Sequence, residues 1–464
     1  MKQTLLNYFL GIFSIACINA QTTFATKQTI NASISSGPYV IESALIDSDA
    51  FIDIVVATEL GNVVQWYKNN GDGTFTLQPL VSSSLPYVYG LKIADLNGDT
   101  FNDIIACSYT GNKIVWFAND GNGNFGSEQL VANLNSAVTI EIANVDNDGD
   151  LDVIGASYNT GQTNWYQNDG SGNFGSAQPI ASVSGSSPGA INSADFDGDT
   201  DMDFVIANTG NGTVEVYIND LVPGGSVSFT KDPNSVSTGN TYLFYCLFAD
   251  VDNDTNYDIL VSDLGSASVS GSLTWYKKEI DGTYTGTPIT TSIFNPADIE
   301  FKDLDDDSLN DIVLSSGKSG AGNDIVWFKN NDGGNYASEA VIDNTQSQAY
   351  NLTINDFDND VDLDIASIAY NDNDLNSFEN LKYTLSIDEL TTSPVFIYPN
   401  PTTSKLNFKG FETAFNVDVY DILGKKVVSK QLQPSQSLDV SKLSNGIYVI
   451  KFPELNVSYK FIKN

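Results

Sequence analysis

The chain has no histidine and no arginine, and its 464 residues include only three cysteines and two methionines. Without an imidazole, neither a Ser-His-Asp nor a Cys-His nucleophile system can be assembled. Without a guanidinium there is no planar two-pronged clamp for a carboxylate or a phosphate. Acid, lysine or tyrosine chemistry remains open, but no stretch singles out such a site. Cys107 and Cys246 lie in β-rich runs far apart in sequence and read as free buried thiols rather than a disulfide. Beyond the first 20 residues, no run approaches the roughly 18 apolar residues of a membrane-spanning helix. Positive charge is scarce as well: 21 lysines face 58 acids, a net charge of −37. Such a surface repels nucleic acid and anionic membranes.

What the chain has in excess is aspartate, and it is concentrated. In DFDGDTDMD, Asp195 to Asp203, a carboxylate stands at every second position with no basic residue among them. Two unit charges about 4 Å apart repel by roughly 1 kcal/mol in water and about 4 kcal/mol at an effective dielectric near 20. A bound cation relieves that repulsion. Ca²⁺ suits the pattern because it takes six to eight oxygens in flexible geometry, whereas Mg²⁺ demands a rigid octahedron and keeps its waters.

The stretch is one of seven. It recurs as DLNGDTFND from Asp95, NVDNDGDLD from Asn144, DVDNDTNYD from Asp250, DLDDDSLND from Asp303 and DFDNDVDLD from Asp356, with a worn copy, LIDSDAFID, from Leu45. Successive starts are 49 to 55 residues apart, the mark of a repeat architecture. Each loop runs into a short apolar strand such as DIVVAT, DIIACS or DFVIAN, and a second strand follows, as in VVQWYKN, KIVWFAN and QTNWYQN. Turns such as NNGDGTF and NDGNGNF then supply the positive φ angles of hairpins. Four short antiparallel strands per repeat predict an all-β fold, a solenoid or a propeller. The chain ends favour a ring: after the seventh loop only LNSFENL remains, and Phe24 to Ile30 (FATKQTI) matches an outer strand. The expected architecture is a seven-bladed β-propeller over residues 21–384, with the N-terminal strand completing the last blade.

These repeats resemble the VCBS and FG-GAP repeats of calcium-binding β-propellers, such as the integrin α-chain head and some lectins, over roughly residues 22 to 383. The resemblance implies Ca²⁺ bound by side chains at loop positions one, three, five and nine, with the carbonyl of position seven. Carried over, the ligands are Asp195, Asp197, Asp199 and Asp203; Asp250, Asp252, Asp254 and Asp258; Asp303, Asp305, Asp307 and Asp311; and Asp356, Asp358, Asp360 and Asp364. Asparagine enters at one position in each of two loops, Asp95, Asn97, Asp99 and Asp103, and Asn144, Asp146, Asp148 and Asp152. The first loop offers only Asp47, Asp49 and Asp53, because Leu45 stands at position one, so a weak or empty site is expected there. An EF-hand is excluded, since position twelve after Asp195 is Ile206 and the flanks read as strands.

Charge changes sign near residue 385: residues 385–464 carry nine lysines and seven acids. This segment, with a linker near 384–394, closely resembles the type A C-terminal sorting domain of the type IX (Por) secretion system, through Tyr398-Pro399-Asn400-Pro401, Gly424-Lys425, Asn445-Gly446-Ile447-Tyr448 and a lysine-rich end. The resemblance implies a small Ig-like β-sandwich, the secretion machinery as partner, and passage through the periplasm to the outer surface or the medium. Residues 1–20 read as a secretory signal cleaved before Gln21; a lipoprotein signal using Cys17 is the alternative.

The expected role is therefore an extracellular, monomeric Ca²⁺-binding module for adhesion to glycans or protein surfaces, not an enzyme. A polysaccharide lyase or hydrolase and a structural surface component are the alternatives. The pairs Trp66-Tyr67, Trp116-Phe117, Trp165-Tyr166, Trp275-Tyr276 and Trp327-Phe328 are expected to pack between blades, although strand alternation would let one of each pair face solvent and stack on sugars.

Overall fold

In the computed structural model, residues 23–238, 242–265, 270–317, 324–382, 396–411, 413–421, 425–434, 436–452 and 457–464 are described. The signal, the linker and Gly424 lie outside them. The chain divides into two compact units, Met1–Thr384 and Leu385–Asn464.

The first unit is built of seven antiparallel sheets, six of four strands and one of five. In every blade the strand that begins at loop position nine, such as Asp53–Thr58 or Asp203–Asn208, is buried along its whole length. That is why these runs are apolar on both faces: each is sandwiched between neighbouring blades. The innermost strands, Pro38–Ala44, Val88–Ala94, Ala137–Ala143, Pro188–Ala194, Leu243–Ala249, Pro296–Lys302 and Ala349–Asn355, contact one another in order, and the last meets the first. The sheets thus form a closed ring, a seven-bladed propeller.

Closure uses the N-terminal strand. Gln28–Asn31 pairs with Asp374–Phe378 as the outer strand of blade 7, so the first and last segments of the unit share one sheet. The departure from four plain strands is in blade 4, where a single helical turn, Leu221–Gly224, and an extra two-residue strand, Val236–Ser237, are added. Pro223 and the Gly224-Gly225 pair break strand pairing there.

Both members of the aromatic pairs are buried in four of the five repeats, and in the fifth Trp275 is buried and Tyr276 half-buried. The expected packing between blades is therefore observed, and the alternative of an exposed sugar-stacking member is not. The reason is the neighbouring blade: the Trp66 ring lies over Gly123 and the Trp116 ring over Gly172, each a turn glycine of the next repeat with φ of 74° and 75°. A Cβ at either position would sit inside the indole. Cys107 and Cys246 are buried and unpaired with each other.

The second unit has two sheets, one of Phe396–Tyr398, Lys405–Lys409 and Leu438–Asp439, the other of Phe415–Asp421, Lys426–Leu432, Gly446–Phe452 and Val457–Lys463. Phe408, Phe415, Phe452 and Ile450 fill the space between them, giving a small β-sandwich.

Candidate metal centres in the blade loops

Each acidic loop joins the innermost strand of a blade to the buried second strand, and its carboxylates do different jobs. Position nine is an internal brace. Asp103 Oδ2 accepts the Leu96 N–H and Oδ1 the Asn119 N–H, at 3.1 and 2.8 Å; Asp53, Asp152, Asp203, Asp311 and Asp364 repeat the pattern. In blade 5, Asp258 Oδ1 keeps the equivalent N–H, that of Lys278, while Oδ2 takes Trp275 Nε1 in place of the loop N–H. Burial pushes these carboxyls up, to about 6 at Asp103 and about 8 at Asp364.

Position five caps the loop. Oδ1 of Asp49, Asp99, Asp148, Asp199, Asp254, Asp307 and Asp360 each accepts the N–H of position seven, at 2.9 to 3.2 Å. Position one gathers the turn between them: Asp95, Asp250, Asp303 and Asp356 each accept at least two backbone N–H groups, Asp195 accepts that of Gly198. This wrapping needs left-handed backbone at position six, seen at Thr100, Gly149, Thr200, Thr255, Ser308 and Val361. Ala50 in the first loop does not adopt it, and Leu45 there is an exposed side chain with no carboxylate to wrap.

Four of the loops bring three carboxylates within 4.8 Å of one another: Asp195, Asp197 and Asp199; Asp250, Asp252 and Asp254; Asp303, Asp305 and Asp311; Asp356, Asp358 and Asp360. The first, second and third loops do not form such a carboxylate trio among the described residues, since Leu45, Asn97 and Asn144 interrupt them.

Family models match the first repeats and the tail. FG-GAP-like repeats are recognised over residues 46–106, 95–155, 144–206 and 195–261, and a secretion system C-terminal sorting domain over residues 396–464. The chain carries FG-GAP-like repeats and a sorting domain. No curated protein matches it. Among solved structures, a lectin of Agrocybe aegerita described as recognising non-reducing terminal N-acetylglucosamine is 18% identical, covering 67% of this chain and 81% of that one with a TM-score of 0.48. A Lactobacillus plantarum protein is 13% identical, covering 68% and 87%, with a TM-score of 0.47. At those scores neither bears on what this chain binds. The sorting domain sends its chain through the type IX machinery to the cell surface or the medium. Among the described residues no helix is long and apolar enough to cross a membrane.

Whether the FG-GAP-like loops fit a cation can be judged from their unsatisfied atoms. Asp146 Oδ1, Asp252 Oδ1, Asp305 Oδ1 and Asp358 Oδ1, all at position three, are buried oxygens without a hydrogen-bond partner, as are Asp360 Oδ2 and Asn144 Oδ1. An unmet buried acceptor costs about 1–3 kcal/mol, more when charged, so a hard oxygen-seeking cation fits these loops. Asp201, at position seven of the fourth loop, is fully buried; its Oδ2 accepts the Val222 N–H at 2.9 Å while Oδ1 has no partner. The spacing rule assigned only a carbonyl to that position and so overlooked the Asp201 side chain.

A second feature was hidden in the repeat. The residue two after the tryptophan position reaches back over the loop. Lys68 Nζ contacts Asp47 and Asp49, the latter at 2.6 Å; Lys277 contacts Asp252 and Asp254, the latter at 3.2 Å; Lys329 contacts Asp305 and Asp307, the latter at 2.6 Å. In the other blades this place is held by Ala118, Gln167, Ile218 and Glu379. Three loops thus carry their own cation, and in blade 7 a fourth carboxylate, Glu379, helps to raise Asp358. Comparing the repeats column by column reveals this lysine, but not that its ammonium lands between two carboxylates.

Proposed function

We propose that the protein is a secreted Ca²⁺-binding β-propeller that serves as a binding or adhesion module for glycans or protein surfaces, and that it catalyses no reaction. The observation that carries the calcium reading is the seventh loop, where Asp356, Asp358 and Asp360 converge with two buried oxygens unsatisfied and no lysine over them. Ca²⁺ there would be held by these carboxylates and would neutralise them, locking the loop between two blades. The binding role is supported by the architecture and the address together: a ring of rigid blades presents loops at a surface, and the tail exports it.

The test uses the full chain. Bound metal is counted at saturating calcium, and thermal unfolding is compared in calcium and in excess EGTA. Retention on insoluble polysaccharides and on cell surfaces is then measured under both conditions. The expected result is about six or seven ions per chain, the first loop being the doubtful one, a large fall in the melting temperature with EGTA, and retention that EGTA abolishes. No bound metal overturns the calcium reading. Indifference to every surface overturns the binding reading, and new reducing ends or unsaturated products from a polysaccharide would make the protein an enzyme.

A further inference from the structure

All seven innermost strands share an irregularity. The ladder to the second strand skips one residue, Tyr39, Tyr89, Val138, Gly189, Phe244 and Tyr350 in six blades, and two residues, Ala297 and Asp298, in blade 6. A bulge re-aims its extra side chain, and here every bulged residue lines one cavity of about 480 Å³ on the propeller axis. That volume lies within the range of small-molecule sites, about 300–1,000 Å³.

The bulge is common to all blades, but its occupant is not. Since Val138, Gly189 and Ala297 serve the fold at this position, the aromatic rings elsewhere are not demanded by the blade. They form an arc on one side of the axis: Tyr39 lies 4.7 Å from Tyr89 and 5.2 Å from Tyr350, and Tyr109 lies 5.4 Å from Tyr89, between ring centroids. Glu59 fixes one of them, accepting the Tyr89 hydroxyl, and also that of Tyr370, whose ring packs on Tyr350. A ring held in this way meets a ligand in the cavity at little further entropic cost.

The charged groups that line the cavity are Glu42, Lys92 and Asp298. Lys92 is shared between Glu42 and Glu141, at 3.2 and 3.9 Å. In blade 6 the buried Asp298 lines the cavity, and Glu300 and Lys302 follow it on the same strand outside the lining, the Lys302 ammonium directed to the Ile354 carbonyl at 3.3 Å. Asp298 has a bracing role, accepting Asn351 Nδ2 and the Leu352 N–H at 2.6 and 3.0 Å. Glu300 has none of that kind, and the equivalent residues Asn192, Leu247 and Thr353 show that the fold does not need a carboxylate there.

We propose that the axial cavity binds a small organic cation, its ammonium group toward the buried Asp298, which Glu300 adjoins on the same strand, and its apolar body against the tyrosine arc. An anion is disfavoured, since Lys92 is already paired with Glu42 and Asp298 is the further carboxyl in the lining. A bare metal ion would leave the aromatic faces unused, and the converging carboxylate trios among the described residues lie in the blade loops, not here. Aromatic faces backed by carboxylates suit an alkylated ammonium, which is attracted by the ring quadrupoles and is weakly hydrated. The site goes beyond the surface-binding role above, because its occupant need be neither a glycan nor a protein.

The charge state agrees. Burial, then the neighbouring Asp298, pushes the Glu300 carboxyl up to about 8, and burial pushes Asp298 to about 7, with Glu42 raising and Lys92 lowering both. The other groups facing them are Lys302 on the same strand and the Tyr245 hydroxyl from blade 5. A cation draws these carboxyls down and releases protons, so affinity should climb as pH rises from 6 to 8.

The experiment is calorimetric titration of the full chain, in calcium, with choline and with its uncharged isostere 3,3-dimethylbutan-1-ol. Choline should bind at about one per chain and at least about tenfold more tightly than the isostere, the loss expected when a desolvated cation–π contact goes. Glu300→Gln and, separately, Tyr109→Ala should each weaken choline by about fivefold or more without shifting the melting temperature by more than a few degrees. Equal binding of the isostere, no choline binding at any pH from 6 to 8.5, or unchanged affinity in both variants would overturn the proposal. Because calcium is present throughout, and polysaccharide retention is scored separately, its failure is distinguishable from failure of the surface-binding reading.

Discussion

A single side chain distinguishes loops that otherwise look alike. In blades 1, 5 and 6 a lysine ammonium lies between the carboxylates of positions three and five, and Lys329 is raised by Asp305 and Asp307. These lysines are about one-third exposed, 30 to 33%, so each pair is worth no more than about 1 kcal/mol. Calcium can displace such a lysine, but against that amount and against its charge. Lys329→Ala should therefore tighten calcium at the sixth loop by about two- to fivefold. Gln167→Lys, which adds an ammonium next to Asp146, should weaken the third loop by a similar factor. Terbium luminescence titration reads both; unchanged site affinities would mean that the lysine stands aside.

The blade as an element is held by the residue that follows the third strand. Asn119 Nδ2 donates to the Asn102 carbonyl of its own loop at 2.9 Å and to the Ile46 carbonyl of the preceding blade at 2.6 Å. Asn69, Asn168, Asn219 and Asn380 make the same reach backwards. In blade 5 Lys278 replaces asparagine and lies over the Phe196 ring of blade 4, 3.6 Å from its centroid. Position nine presents acceptors to two backbone donors, so its amide is no conservative replacement: Asp103→Asn turns one acceptor into a donor facing an N–H. Urea unfolding of that variant should show a loss of about 2–3 kcal/mol, and Asn119→Ala a similar one. A change below about 0.5 kcal/mol in either would refute the bracing role, since surface substitutions fall within that range.

At the scale of the whole molecule, one bond repeats the inter-blade brace across the chain ends: Asn69 Nδ2 to the Phe357 carbonyl, 288 residues away, at 2.8 Å. The outer strand Gln28–Asn31 completes the same junction from the other side. Deleting residues 23–31 should leave blade 7 with an exposed edge at Asp374–Phe378 and lower the propeller's melting temperature by several degrees, since each lost kcal/mol shifts a domain of more than 150 residues by about 2–4 °C. The sorting domain has its own core, and its unfolding transition should stay where it is. A propeller transition that does not move would mean the ring closes without that strand.

The sequence by itself determined the repeat, the strand order within it, the closing strand and the sorting tail. Each rests on local spacing: apolar six-residue runs, turn glycines and aspartates at fixed offsets survive reading one residue at a time. The loop carboxylates were also legible as a set. Their division of labour was not, because Asp103 and Asp99 look equivalent until the buried second strand takes one inside and leaves the other at the rim. The lysine over three of the loops, the free oxygen of Asp201 and the burial of both aromatics in most pairs depend on which neighbour each side chain meets. The axial cavity belongs wholly to the tertiary structure. Tyr39, Tyr89 and Tyr350 are about 50 to 310 residues apart in sequence, and only closure of the ring turns their separate bulges toward a single axis.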